Sequence, residues 1–86
     1  MHEHHLCDRL LDEALGQART HSAQLRGVRV RLGALSGSDP QHLRGDFRHV
    51  CQERGLGELE LHVELAPEHP AGLELIGVVL AEPPAD

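Results

Sequence analysis

The sequence predicts an α+β fold: a small three-stranded mixed sheet with two helices packed on one face, in the order α-β-α-β-β. Two segments repeat their apolar residues every three or four positions. Three others alternate or concentrate them as strands do, and Gly, Pro, Ser and Asp fill the joints.

The first helix is read from Leu6 to Ala18, where Leu6, Cys7, Leu10, Leu11, Ala14, Leu15 and Ala18 share one face and Asp8, Arg9, Asp12, Glu13 and Gln17 lie opposite. Thr20, Ser22 and Gly27 interrupt that pattern. "GVRVRLGAL" then alternates Val28, Val30 and Leu32 with Arg29 and Arg31, which predicts a strand whose arginines face solvent. In "SGSDPQHL", Ser38 or Asp39 is suited to cap a helix and Pro40 sits where a missing amide hydrogen costs nothing. Leu43, Phe47, Val50 and Cys51 follow at helical spacing, and "RGLGE" ends the second helix. In "ELELHVELA" the row Leu59, Leu61, Val63 and Leu65 is expected to be buried, with Glu58, Glu60, His62 and Glu64 outside. The denser apolar run "LELIGVVLAE" predicts a third strand buried on both faces. A helical crossover between the first two strands suits parallel pairing, and the link from Ala66 to Gly72 permits an antiparallel return. Strand order stays open.

An 86-residue chain has room for one core, so residues 1–86 are read as a single domain. The formal charge of -6 and the lone aromatic residue, Phe47, argue against nucleic acid and against a membrane surface. No apolar run approaches the roughly 20 residues that span a bilayer, and the polar start does not resemble a secretion signal. A cytoplasmic location is therefore expected. Cys7 and Cys51 are too few for a disulfide framework or a paired-cysteine zinc site, and both are read as small core residues.

The opening "MHEHHL" is the one concentrated set of metal donors. The α-amine of Met1 and the amide and imidazole of His2 close fused small chelate rings, a planar nitrogen set that suits Ni(II) or Cu(II) better than tetrahedral Zn(II). A fourth donor is available from the Glu3 amide or carboxylate, from His4 or from His5, and the sequence does not choose among them. The competing reading is a solvated tail. His21, His42, His49, His62 and His69 are scattered over different elements, and Asp39 is accounted for by capping. No phosphate-binding glycine loop or activated nucleophile suggests catalysis, so no enzyme is expected.

The start "MHE", the stretch "VRVRLGALSGSDPQHLRGDFRHVC", the strand "ELELHVELAP" and the end "LELIGVVLAE" together resemble the HypA/HybF family of hydrogenase nickel-incorporation proteins. In that family a strand ending in a Gly-x-x-Ser-like turn leads into a helix with a Phe-x-x-Val core. The resemblance implies a nickel metallochaperone in which Met1 supplies the amine, His2 the imidazole and amide, and Glu3 a further amide or carboxylate. It also implies work with a nickel-delivery GTPase and a hydrogenase large-subunit precursor. Two departures stand out. The family carries a zinc domain with two Cys-x-x-Cys pairs between its last strands, whereas "APEHPAGL", which contains the short loop 66–72, stands here, so no structural zinc is expected. His4 and His5 replace an apolar residue and a serine. His4 is read as an added donor and His5 as a surface residue. A metal-independent adaptor built on the same fold is the alternative.

Overall fold

A computed structural model describes residues 3–33, 39–70 and 72–81, with side chains from Leu6 onward within those ranges. The elements are α1 (Glu3–Thr20), β1 (Gln24–Gly33), α2 (Pro40–Glu53), β2 (Glu60–Ala66) and β3 (Leu73–Ala81), the predicted order of an α+β fold.

The apolar face of α1 puts Cys7, Leu10, Leu11, Ala14 and Ala18 into the core, as its periodicity requires. The helix starts three residues earlier than predicted, because the polar "EHH" carries no apolar signal by which periodicity could have placed it in a helix. It ends with Ser22 in the left-handed region, φ 53°. For α2 the cap is Asp39, whose Oδ1 accepts a hydrogen bond from the His42 amide at 2.7 Å, with Pro40 opening the helix. Leu43, Phe47, Val50 and Cys51 are its buried row.

The sheet order is β2-β1-β3. β1 is central and pairs in parallel with β2, as a crossover through α2 requires, and antiparallel with β3. β2 and β3 are thus separated by β1, and the link between them passes the end of the central strand, where the Gly33 amide donates to the Gly72 carbonyl at 2.8 Å. β1 begins earlier than its alternation suggested. Leu25 and Val28 are both buried although three residues apart, because an irregularity between Leu25 and Gly27 resets the pleat. Gly27 is required there: a Cβ would stand 2.7 Å from the Cβ and 2.8 Å from the carbonyl oxygen of Glu60 on β2.

Two expectations are corrected. β3 is not buried on both faces; every residue of it is half-buried, because it is an edge strand with helices on one side only. Leu73, Leu75, Val78 and Leu80 pack on the core, while Ile76 and Val79 lie on the open face beside Arg29 and His62. Leu65 is not in the buried row but 62% exposed. Phe47 and Cys51 of α2 border Leu59 and Leu61, and Leu65 lies about 13 Å further along the edge strand, beyond that cover.

Candidate metal centre at the start of the first helix

The short turn between Thr20 and Gln24 reverses the chain, so α1 runs back over the sheet and its first turn lies at the end where β1 finishes. Leu6 and Leu10 accordingly border a groove with Leu73 and Leu75 of β3, and Leu73 is the register partner of Leu32. The same end gathers the finish of β2, the link 67–72 and the capped start of α2. Met1 and His2 lie outside the described residues, and Glu3 and His4 open α1 with their side chains, like that of His5, also outside that description.

At the same end of the sheet the described side chains of the open face are ion-paired. His69 is half-buried, its Nε2 2.9 Å from Glu74 Oε1. Glu74 is opposite Arg31 in the ladder, and Arg31 also spans to β2: its Nη1 is 3.5 Å from Glu74 and its Nε 3.4 Å from Glu64. Because this network occupies the face away from the helices, His69 is engaged on the open side of the sheet. Only strand register brings Arg31, Glu64 and Glu74 together, so nothing in the sequence pointed to the trio. A second missed contact joins the helices: Arg54, at the end of α2, donates from Nε to Asp8 at 3.1 Å and from Nη2 to Asp12 at 2.8 Å. The Asp12 hydrogen bond, helped by both carboxylate charges, holds that guanidinium still more firmly protonated.

The dispersed histidines stay dispersed. His42 is 3.9 Å from Asp46, His49 is 3.2 Å from Glu53, and His62 is 2.9 Å from Glu60, each pair on its own element. Among the described residues no three His, Cys, Asp or Glu side chains gather as a metal site. Cys7 and Cys51 are both 1% exposed in the core and form no disulfide, as expected of them, and burial pushes the Cys51 thiol up from its ordinary range, with the Arg54 charge opposing. No helix among the described residues is long and apolar enough to cross a membrane.

No curated protein and no solved structure matches the chain. Residues 1–70 match the family model described as "HypA: Hydrogenase/urease nickel incorporation, metallochaperone, hypA", a stretch that runs from the histidine-rich start through both helices and the parallel strand pair. With the expected element order in place behind that start, the chain belongs to the HypA family of nickel-incorporation metallochaperones, which act in hydrogenase maturation.

Proposed function

We propose that the chain carries Ni(II) as cargo on its first residues, with the Met1 amine, the His2 amide and imidazole, and a donor from Glu3 or His4. The observation that carries this reading is the family match, which begins at the residues whose chemistry suits a planar nitrogen site. The helix start supports it too. α1 begins at Glu3, and the first four amides of an α-helix have no acceptor within it, so the Glu3 amide can turn to a metal without breaking a helical hydrogen bond. A coordination position left open or weakly held by the fourth donor would suit handing an ion on rather than storing it.

The acceptors we assign are a nickel-delivery GTPase and a hydrogenase large-subunit precursor, met in the cytoplasm. We further propose that residues 1–86 act as one HypA-like domain without structural zinc, since the chain's only two cysteines are spent in the core and the link 66–72 offers no thiol.

A calorimetric Ni(II) titration of untagged protein, beside a version with one added N-terminal glycine and beside His2→Ala, tests the site. We expect stoichiometric binding with a square-planar absorption band, lost in both variants. Equal binding by all three, or none by the parent, would overturn the metal site and leave the metal-independent adaptor as the function of the fold.

A further inference from the structure

β2 is an outer strand, and nothing among the described residues pairs with the side of it that faces away from β1. The Leu61 carbonyl shows which groups point that way, because it accepts a hydrogen bond from Arg44 Nη1 of α2 at 2.8 Å. The two main-chain groups of a strand residue point to the same side, and the side alternates along the strand. Glu60, His62 and Glu64 therefore serve the ladder to β1, while Leu61, Val63 and Leu65 turn their amides and carbonyls outward. Arg44 takes the Leu61 carbonyl. The outward groups of Val63 and Leu65 have no partner among the described residues, and open groups of this kind recruit another strand.

Two features define what is recruited. The helix-side row of β2 loses its cover along the strand: Leu61 is buried, Val63 half-buried and Leu65 62% exposed, so an added strand meets apolar surface at Val63 and Leu65. Toward the strand's start it meets cations instead. Arg44 and Arg48, one turn apart on α2 and both exposed, line a cleft with Leu59 and Leu61 at this edge. Neither has an ion-pair partner among the described residues, although Glu58 stands on the same rim, and this in a chain of formal charge -6. Roughly 13 Å of strand separates Leu61 from Leu65, so one extended segment of about seven residues meets the guanidinium groups at one end and Leu65 at the other. On the opposite side of the sheet Glu60 and Glu64 repel further carboxylates, which confines the acidic positions to the helix side.

We propose that the outer edge of β2 binds an extended acidic segment of a different protein as a fourth strand, its helix-side row carboxylate beside Arg44 and Arg48 and aliphatic beside Val63 and Leu65. Main-chain hydrogen bonds hold the segment and alternate side chains select it. On binding, an amide of the segment takes over the Leu61 carbonyl and Arg44 turns to the carboxylate. β2 finishes at the end of the sheet where α1 starts, so the aliphatic end of the segment lies at that end. Binding needs no metal, and the inference stands whether or not the nickel reading does.

The probe is a capped seven-residue peptide with glutamates at its first and third positions, valines at its fifth and seventh and threonines between, beside the same peptide in reversed order and lysine versions of both. Each is titrated into the isotope-labelled full chain with chelator present, followed by amide resonances and hydrogen exchange. We expect one of the two glutamate peptides to shift the Val63 and Leu65 amides and slow their exchange at least fivefold, and its lysine version to bind at least tenfold more weakly. Arg48→Glu, on an exposed helix position, should reverse that preference. Val63→Pro removes an outward amide without touching the ladder to β1 and should abolish binding, with circular dichroism verifying the fold of both variants. No shift with either glutamate peptide at millimolar concentration, equal binding of both charges, or a preference unmoved by Arg48→Glu would overturn the proposal. So would shifts of Val63 and Leu65 that depend on protein concentration alone, which would assign the edge to a second copy of the chain.

Discussion

Replacing Gly27 and Gly45 by alanine, one at a time, should move stability in opposite directions, and the reason lies in what each new methyl meets. At Gly27 the added Cβ falls 2.7 Å from Glu60 Cβ, 2.8 Å from Glu60 O and 3.2 Å from Glu60 Cα. Carbon atoms pack at about 3.5–4.0 Å, so β1 and β2 must part by roughly 1 Å at the head of their parallel ladder. Overpacking of this kind costs about 1–3 kcal/mol. Restricting the unfolded chain returns about 0.4–1 kcal/mol, leaving a net loss of about 1–2 kcal/mol. At Gly45, on the exposed side of α2, nothing lies within 4 Å of the new methyl. There the helix-propensity difference, about 0.8–1 kcal/mol in favour of alanine, is unopposed. For an 86-residue chain the unfolding entropy is about 180 cal/mol/K, so 1 kcal/mol corresponds to about 5–6 °C. Thermal unfolding followed by circular dichroism, with chelator present so that bound metal does not mask the difference, should show Gly27→Ala melting about 5–10 °C lower and Gly45→Ala about 5 °C higher. A neutral or stabilising Gly27→Ala would refute the pairing of Gly27 with Glu60, and a destabilising Gly45→Ala would refute a free helical surface at that point.

Three further outcomes are expected. Asp39→Ala removes the acceptor for the His42 amide and should cost about 1 kcal/mol in urea unfolding, with Asp39→Ser recovering most of it. Phe47, the lone aromatic residue and 3% exposed, should cost about 3–5 kcal/mol when cut to alanine, enough to unfold much of the population at 37 °C if the parent has the modest stability typical of small domains. Burial raises the Cys51 thiol above its unfolded value, so its contribution to stability is complete below the unfolded pKa, about 8.5, and is lost as pH rises through the higher folded value. Urea unfolding at pH 7 and pH 9.5 should show this decline, reduced in Cys51→Ala, and alkylation of the folded protein at pH 8 should be slow until urea opens the core.

Local pattern sufficed for much of this molecule. The faces of α1 and α2, the Asp39 cap, the burial of both cysteines and the parallel pairing of β1 with β2 follow from side-chain spacing and from the link lengths, since each depends on residues close in sequence. The candidate donors of "MHE" are adjacent in sequence and need no fold to be neighbours, whereas the family resemblance rested on that start together with three further stretches. Strand order was a different matter. A link of several residues can return beside β2 or cross to the far side of β1, and only the packing of α1 over β1 and β3 selects the second. That choice makes β3 an edge, so a run of apolar residues that reads as doubly buried is instead half-covered. It also assembles Arg31 with Glu64 and Glu74, and Arg54 with Asp8 and Asp12, from residues 33 to 46 positions apart or from different strands. Ionic contacts of that range depend on register and on the approach of whole elements, quantities to which periodicity is blind, whereas the face a residue occupies is fixed by the backbone's own repeat.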